Sequence, residues 1–256
     1  MNFLFANFKN SIDFFIRSHL AFSRKNYREK NEPKEGLFNS EEKILKESTL
    51  LSKYDLKQLK NNSTKQNYIE NLYVLEILDS YLKIDFKENC KVLDIGSKNW
   101  SYAKAEQAFF SKHTNSLEIK GIEIDPNRLY SNLYSRNEVA KFHIKPLPEA
   151  EYLGGDLKNH HLKYNYITWF LPFIKKYPHV RWGLPLKHFK PEENLRHAYN
   201  LLKEGGKLFI TNQGEEERDI QRELCEKLNI TFDDLGKIES SFNPYKIERY
   251  GIIISK

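Results

Sequence analysis

The sequence lacks any apolar run long enough to cross a bilayer. Its longest nearly apolar stretch, 166–174, is about half of the ~20 residues that a hydrocarbon core demands. Cysteine is scarce: Cys90 and Cys225 stand far apart, with no Cys-x-x-Cys or Cys/His spacing. Neither a disulfide framework nor a thiolate zinc site is expected, no carboxylate cluster suggests a metal, and a reducing cytoplasm is the expected location. No secretory leader is expected either. Lys9, Asp13 and Arg17 interrupt the first apolar residues, and no small-residue cleavage site follows. Charge of one sign is in only small excess: 41 Lys+Arg against 35 Asp+Glu give +6 over 256 residues, which is not a nucleic-acid footprint by itself.

What is present argues for a packed protein. The 17 Phe, 15 Tyr and 3 Trp are more aromatic surface than a solvated chain carries. The length suits one large domain, or a domain with an extension. The cations are clustered: residues 1–30 hold six basic side chains and two acidic ones, and Lys175, Lys176, Arg181, Lys187 and Lys190 follow one another with no acid between them.

The chain reads as three blocks. Phe5, Phe8, Ile12, Phe15, Ile16 and Leu20 recur near the 3.6-residue period of an amphipathic helix. A polar stretch, 30–36, reads as a linker. Helices are expected after Ser40 as N-cap and after Ser63, where Ser63-x-x-Gln66 fits a capping box. Residues 1–65 thus form a helical extension or cap, and 66–256 the main domain. From residue 91 strands alternate with helices. Strands are expected at 91–95, 118–124, 152–153, Tyr164–Phe170 and 207–211, with a closing pair at 237–242 and 250–255. Helices are expected at 101–113, from Pro126, from Pro191 and at 215–228. Such alternation implies an α/β fold, a parallel sheet covered on both faces. Ligands then bind at the carboxyl ends of the strands, where strand order reverses.

Three successive strand ends carry an acid. Val92-Leu93-Asp94-Ile95-Gly96-Ser97 puts a glycine at the first strand-to-helix turn, where backbone meets ligand. Glu123 ends the second strand 27 residues after Gly96, close to the acid that takes ribose hydroxyls in dinucleotide folds. Asp156 follows the third strand and suits an exocyclic amine. Asp125, before Pro126, reads as a helix N-cap.

These residues resemble a class I S-adenosylmethionine-dependent methyltransferase over about residues 66–256. Val92-Leu93-Asp94-Ile95-Gly96-Ser97-Lys98-Asn99-Trp100 is similar to that family's first motif and Gly121-Ile122-Glu123-Ile124-Asp125 to its second. Gly154-Gly155-Asp156-Leu157 is similar to the third, and the turn at Gly205-Gly206 to the lead-in to strand five. The resemblance implies a Rossmann-like sheet of seven strands, mostly parallel with the last antiparallel, and S-adenosylmethionine as cofactor. It implies Asp94, Gly96 and Ser97 near the methionine, Glu123 on the ribose, and Asp156 with Leu157 around the adenine. Trp100 and Phe170 join the candidate cofactor contacts, Trp100 being equally readable as core. The further glycines usual in the first motif are replaced by Ser97-Lys98-Asn99-Trp100.

Candidate acceptor contacts are Arg181, Trp182 and His188 in the lysine-rich connection before Pro191, and Asn212 and Gln213 after the fifth strand. Phe170-Leu171-Pro172-Phe173 lacks the leading Asn or Asp of the similar segment in methyltransferases of exocyclic base amines, so the resemblance implies a different acceptor. The expected activity is methyl transfer to a small or lipid-like anionic acceptor. An RNA acceptor and a non-catalytic cofactor-binding module stand as alternatives, and no residue is singled out as base. Residues 1–30 admit two readings, a helix packed on its own domain or peripheral contact with a membrane.

Overall fold

The computed structural model describes residues 3–22, 24 and 26–256; Lys25, in the basic stretch after the first helix, lies outside them. Seven strands, β1 (Lys87–Ile95), β2 (Thr114–Glu123), β3 (Ala150–Gly154), β4 (Tyr164–Phe170), β5 (Leu202–Gln213), β6 (Phe232–Lys237) and β7 (Arg249–Ser255), form one sheet. Their order is β3-β2-β1-β4-β5-β7-β6. Neighbours from β3 through β5 run parallel, and β7 runs antiparallel to both β5 and β6. Strand order reverses between β1 and β4, so the edge above Ile95 and Phe170 is the switch point where such sheets open for ligands.

Side chains on each strand alternate between two cores, as the pleat requires. On one face Val92, Ile119, Tyr166 and Phe209 pack under α4 (Lys65–Tyr81) and α5 (Ala103–Ser111). On the other, Leu93, Ile167, Leu208 and Ile210 pack under α8 (Pro191–Leu201) and α9 (Gly214–Lys227). Burial on both faces is why these strands read as nearly continuous apolar runs. Ahead of them come α1 (Phe3–His19), α2 (Glu41–Lys53) and α3 (Lys57–Asn61). Leu50 of α2 and Tyr54, just past its end, join the same core as α4, with the Tyr54 ring 6.0 Å from Phe109. No described helix is long and apolar enough to cross a membrane.

Four local expectations are corrected. No helix starts at Pro126; 126–135 is a looped stretch, and α6 (Arg136–Ile144) begins ten residues later. There Ser135 and Glu138 form a reciprocal capping box that satisfies the helix's first donors. Asp125, the expected cap, instead turns its carboxylate to Arg17. The strand expected at 237–242 lies at Phe232–Lys237, because Ser240 and Ser241 bond Glu76 of α4 and lead the chain off the sheet. Thr64 rather than Ser63 caps α4, accepting from Asn67 N–H. The connection before Pro191 holds a short helix, α7 (Lys176–Arg181).

One close approach sets the geometry above β2. A Cβ on Gly121 would lie 2.8 Å from the ring of Trp100, which is fully buried. Gly121→Ala is expected to destabilise the fold by about 1–3 kcal/mol, the usual cost of overpacking a core. Urea unfolding measures it, and an unchanged midpoint would contradict the contact.

Candidate functional site

The turn after β1 is held in an unusual conformation. Gly96 has φ +73° and donates to Ile122 O at 2.9 Å. Lys98 and Trp100 also have positive φ, +55° and +46°, although left-handed geometry costs a non-glycine residue roughly 1–2 kcal/mol. Three bonds hold them there. Lys98 N–H donates to Glu123 at 3.0 Å, the Tyr152 hydroxyl to Lys98 O at 2.5 Å, and the Trp100 indole to Glu106 at 2.7 Å. Side-chain bonds thus replace the missing glycines.

Glu123, at the end of β2, is the hub of this corner. Besides Lys98 N–H it accepts from Asp125 N–H at 2.9 Å and from the Arg136 guanidinium at 2.7 Å. Arg136 and Lys98 in turn lie beneath the Trp182 ring, 5.8 and 5.5 Å from its centroid. Burial pushes the Lys98 amine down from its ordinary value. Asp156 accepts from Lys158 N–H at 3.1 Å, capping the turn Leu157–Asn159, and lies 3.6 Å from His188 Nδ1. His188 rests against Phe14 of α1, 4.7 Å between ring centroids, and burial pushes its pKa down. The ends of β2 and β3 are therefore roofed by the 175–190 segment and α1.

Asp94 lies deeper. It accepts from the Tyr102 hydroxyl at 2.8 Å, and Thr168 Oγ1 sits 3.0 Å from Asp94 and 2.7 Å from Glu106. A hydroxyl has one proton and can donate to only one of these carboxyls. A carboxyl proton must complete the other bond, so the Asp94–Glu106 pair retains a proton. Burial raises both groups, Glu106 to about 7 and Asp94 well above the carboxylate range, where the neighbouring Glu106 charge adds to the shift.

The remaining candidates are spread along the same edge. Phe170 packs edge-on to Tyr102 and lines a cavity of about 30 Å³ with Glu70, Tyr73, Tyr245 and Arg249. Ser97 and Asn212 are fully buried, and among the described residues neither Ser97 Oγ nor either amide atom of Asn212 has a hydrogen-bond partner. Leu157 is buried, Gln213 gives its N–H to Glu217, and Arg181 and Trp182 are exposed. A larger cleft, about 980 Å³, opens beside α4 and α6, with Arg28, Lys104, Lys141 and Lys145 among its walls. Neither cavity is lined by Asp94, Glu123 or Asp156. Among the described residues no group of three His, Cys, Asp or Glu side chains is arranged to hold a metal ion.

No protein-family model matches the chain, and no curated protein matches it. Solved structures do. A SAM-dependent methyltransferase from Aquifex aeolicus aligns over 81% of this chain and 97% of its own, with TM-score 0.51 and 14% identity. A methyltransferase from Pyrococcus furiosus aligns over 72% and 82%, with TM-score 0.51 and 17% identity. The chain has the class I methyltransferase fold.

Within that methyltransferase fold, sequence reasoning located the strand-end acids and missed their partners. Arg136, which opens α6, is buried against Glu123. Ser135-x-x-Glu138 was the readable signal for its position. Glu106 was also missed; it is an acid set among Ala103, Ala105 and Phe109 on the buried face of α5, itself a mark of a special environment. The folded chain binds a proton there that the unfolded chain releases. Stability is fully present below the ordinary carboxylate value of 4.5 and falls as pH rises through about 7. Glu106→Gln is expected to flatten that fall, read as urea midpoints between about pH 5 and about pH 8; parallel profiles for the two proteins would refute the shared proton.

Proposed function

We propose that this protein is an S-adenosylmethionine-dependent methyltransferase acting on a small or lipid-like anionic acceptor. The observation that carries the reading is Glu123 bonded to the Gly96–Lys98 turn at the switch point of a sheet with this strand order. The donor set suits the cofactor. Nothing within 4 Å meets a Cβ built on Gly155, and Gly96 meets only the Trp169 indole nitrogen at 3.9 Å, so backbone is approachable at both turns. Ser97 Oγ is a buried hydroxyl in want of a partner. Glu123 would hold the ribose, Asp156 and Leu157 the adenine, and Asp94, Gly96 and Ser97 the methionine end. Arg136 is paired with Glu123 and lies against the Trp182 ring, so a ribose at Glu123 would compete with that guanidinium.

When bound, the cofactor supplies a sulfonium methyl group whose leaving group is already activated. The chain's share is to orient the acceptor at ~3–3.5 Å and to exclude water. The acid-free run from Lys175 to Lys190 supports an anionic acceptor, with Arg181, Trp182 and His188 beside the roofed corner and Asn212 and Gln213 at the end of β5. One observation favours a second reading, an RNA acceptor: four cations line the 980 Å³ cleft. Steeply salt-dependent RNA binding would support it.

Calorimetry with S-adenosylmethionine and S-adenosylhomocysteine tests the cofactor. Binding of both is expected, and Glu123→Gln should weaken it by about 1–3 kcal/mol through loss of a charged hydrogen bond. No heat with either ligand would make the chain a non-catalytic relative of the fold; unchanged affinity in the variant would remove Glu123 from the ribose.

A further inference from the structure

The first helix is mounted the opposite way round from an ordinary amphipathic helix. Asn7, Asn10 and Arg17 face the protein. Asn10 donates to Val180 O at 2.7 Å and to Leu184 O at 3.3 Å, and Asn7 accepts from Leu186 N–H at 2.7 Å. Arg17 grips buried Asp125 with two bonds of 3.1 and 2.8 Å and reaches Gly183 O at 3.2 Å. With Ala6 and Phe14 they seat α1 on α7 and the loop after it. On the other side Phe5, Phe8, Ile12, Phe15 and Ile16 are 46–63% exposed. At 100° per residue these five occupy a sector about 100° wide. Leu20 and Phe22 extend the exposed apolar surface past the helix end.

Charge decides what covers this ridge. Exposed Lys176, Arg181 and Lys187 come from the segment on which α1 rests, and Lys187 Nζ is 5.9 Å from the Phe14 ring centroid. Exposed Arg24 and Arg28 follow the helix. The only acid in residues 1–28, Asp13, is paired with Lys9 at 2.7 Å. Exposed Tyr177 and Trp182 add aromatic rings of the kind that settle at a membrane–water boundary. A second copy docked isologously would set these cations against themselves. An anionic lipid surface complements them, and its acyl boundary accepts the phenylalanines.

We propose that α1 is a membrane-surface anchor, lying in the plane of an anionic bilayer with Phe5, Phe8, Ile12, Phe15 and Ile16 inserted and the flanking cations on the headgroups. The anchor does not rest on the proposed reaction: a failure of vesicle binding leaves cofactor binding untouched, and the converse. Vesicle flotation of the full chain tests it, with phosphatidylcholine alone and with phosphatidylcholine containing phosphatidylglycerol. The protein is expected to float with the anionic vesicles and to be released by salt. Phe8→Ser/Ile12→Ser/Phe15→Ser, at exposed positions, should lower the bound fraction about tenfold or more without moving the unfolding midpoint. Absence of flotation, equal flotation of the triple variant, or self-association that the variant abolishes without any vesicle binding would overturn the proposal. If the variant unfolds, the contrast between the two vesicle compositions decides for the unaltered protein.

Discussion

The buried ion pair between Glu123 and Arg136 organises the carboxyl edge of this sheet. The carboxylate ends β2, holds the turn after β1 through Lys98 N–H, and fixes the start of α6 through Arg136. Trp182 then closes over the guanidinium. A buried pair of this kind contributes little net stability, but removing one partner costs roughly 3–5 kcal/mol because the other is left charged and dry. The pair therefore acts as a constraint on geometry. It fixes Glu123 beside the glycine turn after β1 with its charge paired, next to the Trp182 ring of the 175–190 segment.

The same economy of glycine runs through the corner. Lys98 and Trp100 adopt left-handed backbone because hydrogen bonds to Glu123, Tyr152 and Glu106 over-determine them. Trp100 can lie flat only because β2 carries Gly121 beneath it. Its indole reaches Glu106, which shares a proton with Asp94 across Thr168. The first-motif acid is thus part of a buried, proton-bearing network.

Much of the fold was legible where one local signal dominated. β4 and α8 stood out because an apolar β-branched run and an N-terminal proline each have one reading. The start of α6 misled because Pro126 is a good first helical residue, while the partner that diverts Asp125 is Arg17, 108 residues away. Long-range pairing of that kind leaves no mark in a local window. The period of α1 was plain as well, but a period identifies a helix and an apolar face without saying which face meets the protein. For the site, the acids at the strand ends could be read from type and position. The pairing of Glu123 with Arg136 could not, because the two lie on different elements and nothing in a local window joins them.

The central claim is that a cofactor seat lies at the ends of β1, β2 and β3 beneath the roof formed by Trp182. Hydrogen exchange with and without S-adenosylhomocysteine tests it most directly. The account predicts added protection at 96–100, 123–125 and 155–157, together with altered exchange across 175–190. Binding that protects only the walls of the cleft around Lys104 and Lys145, with these turns unchanged, would contradict it.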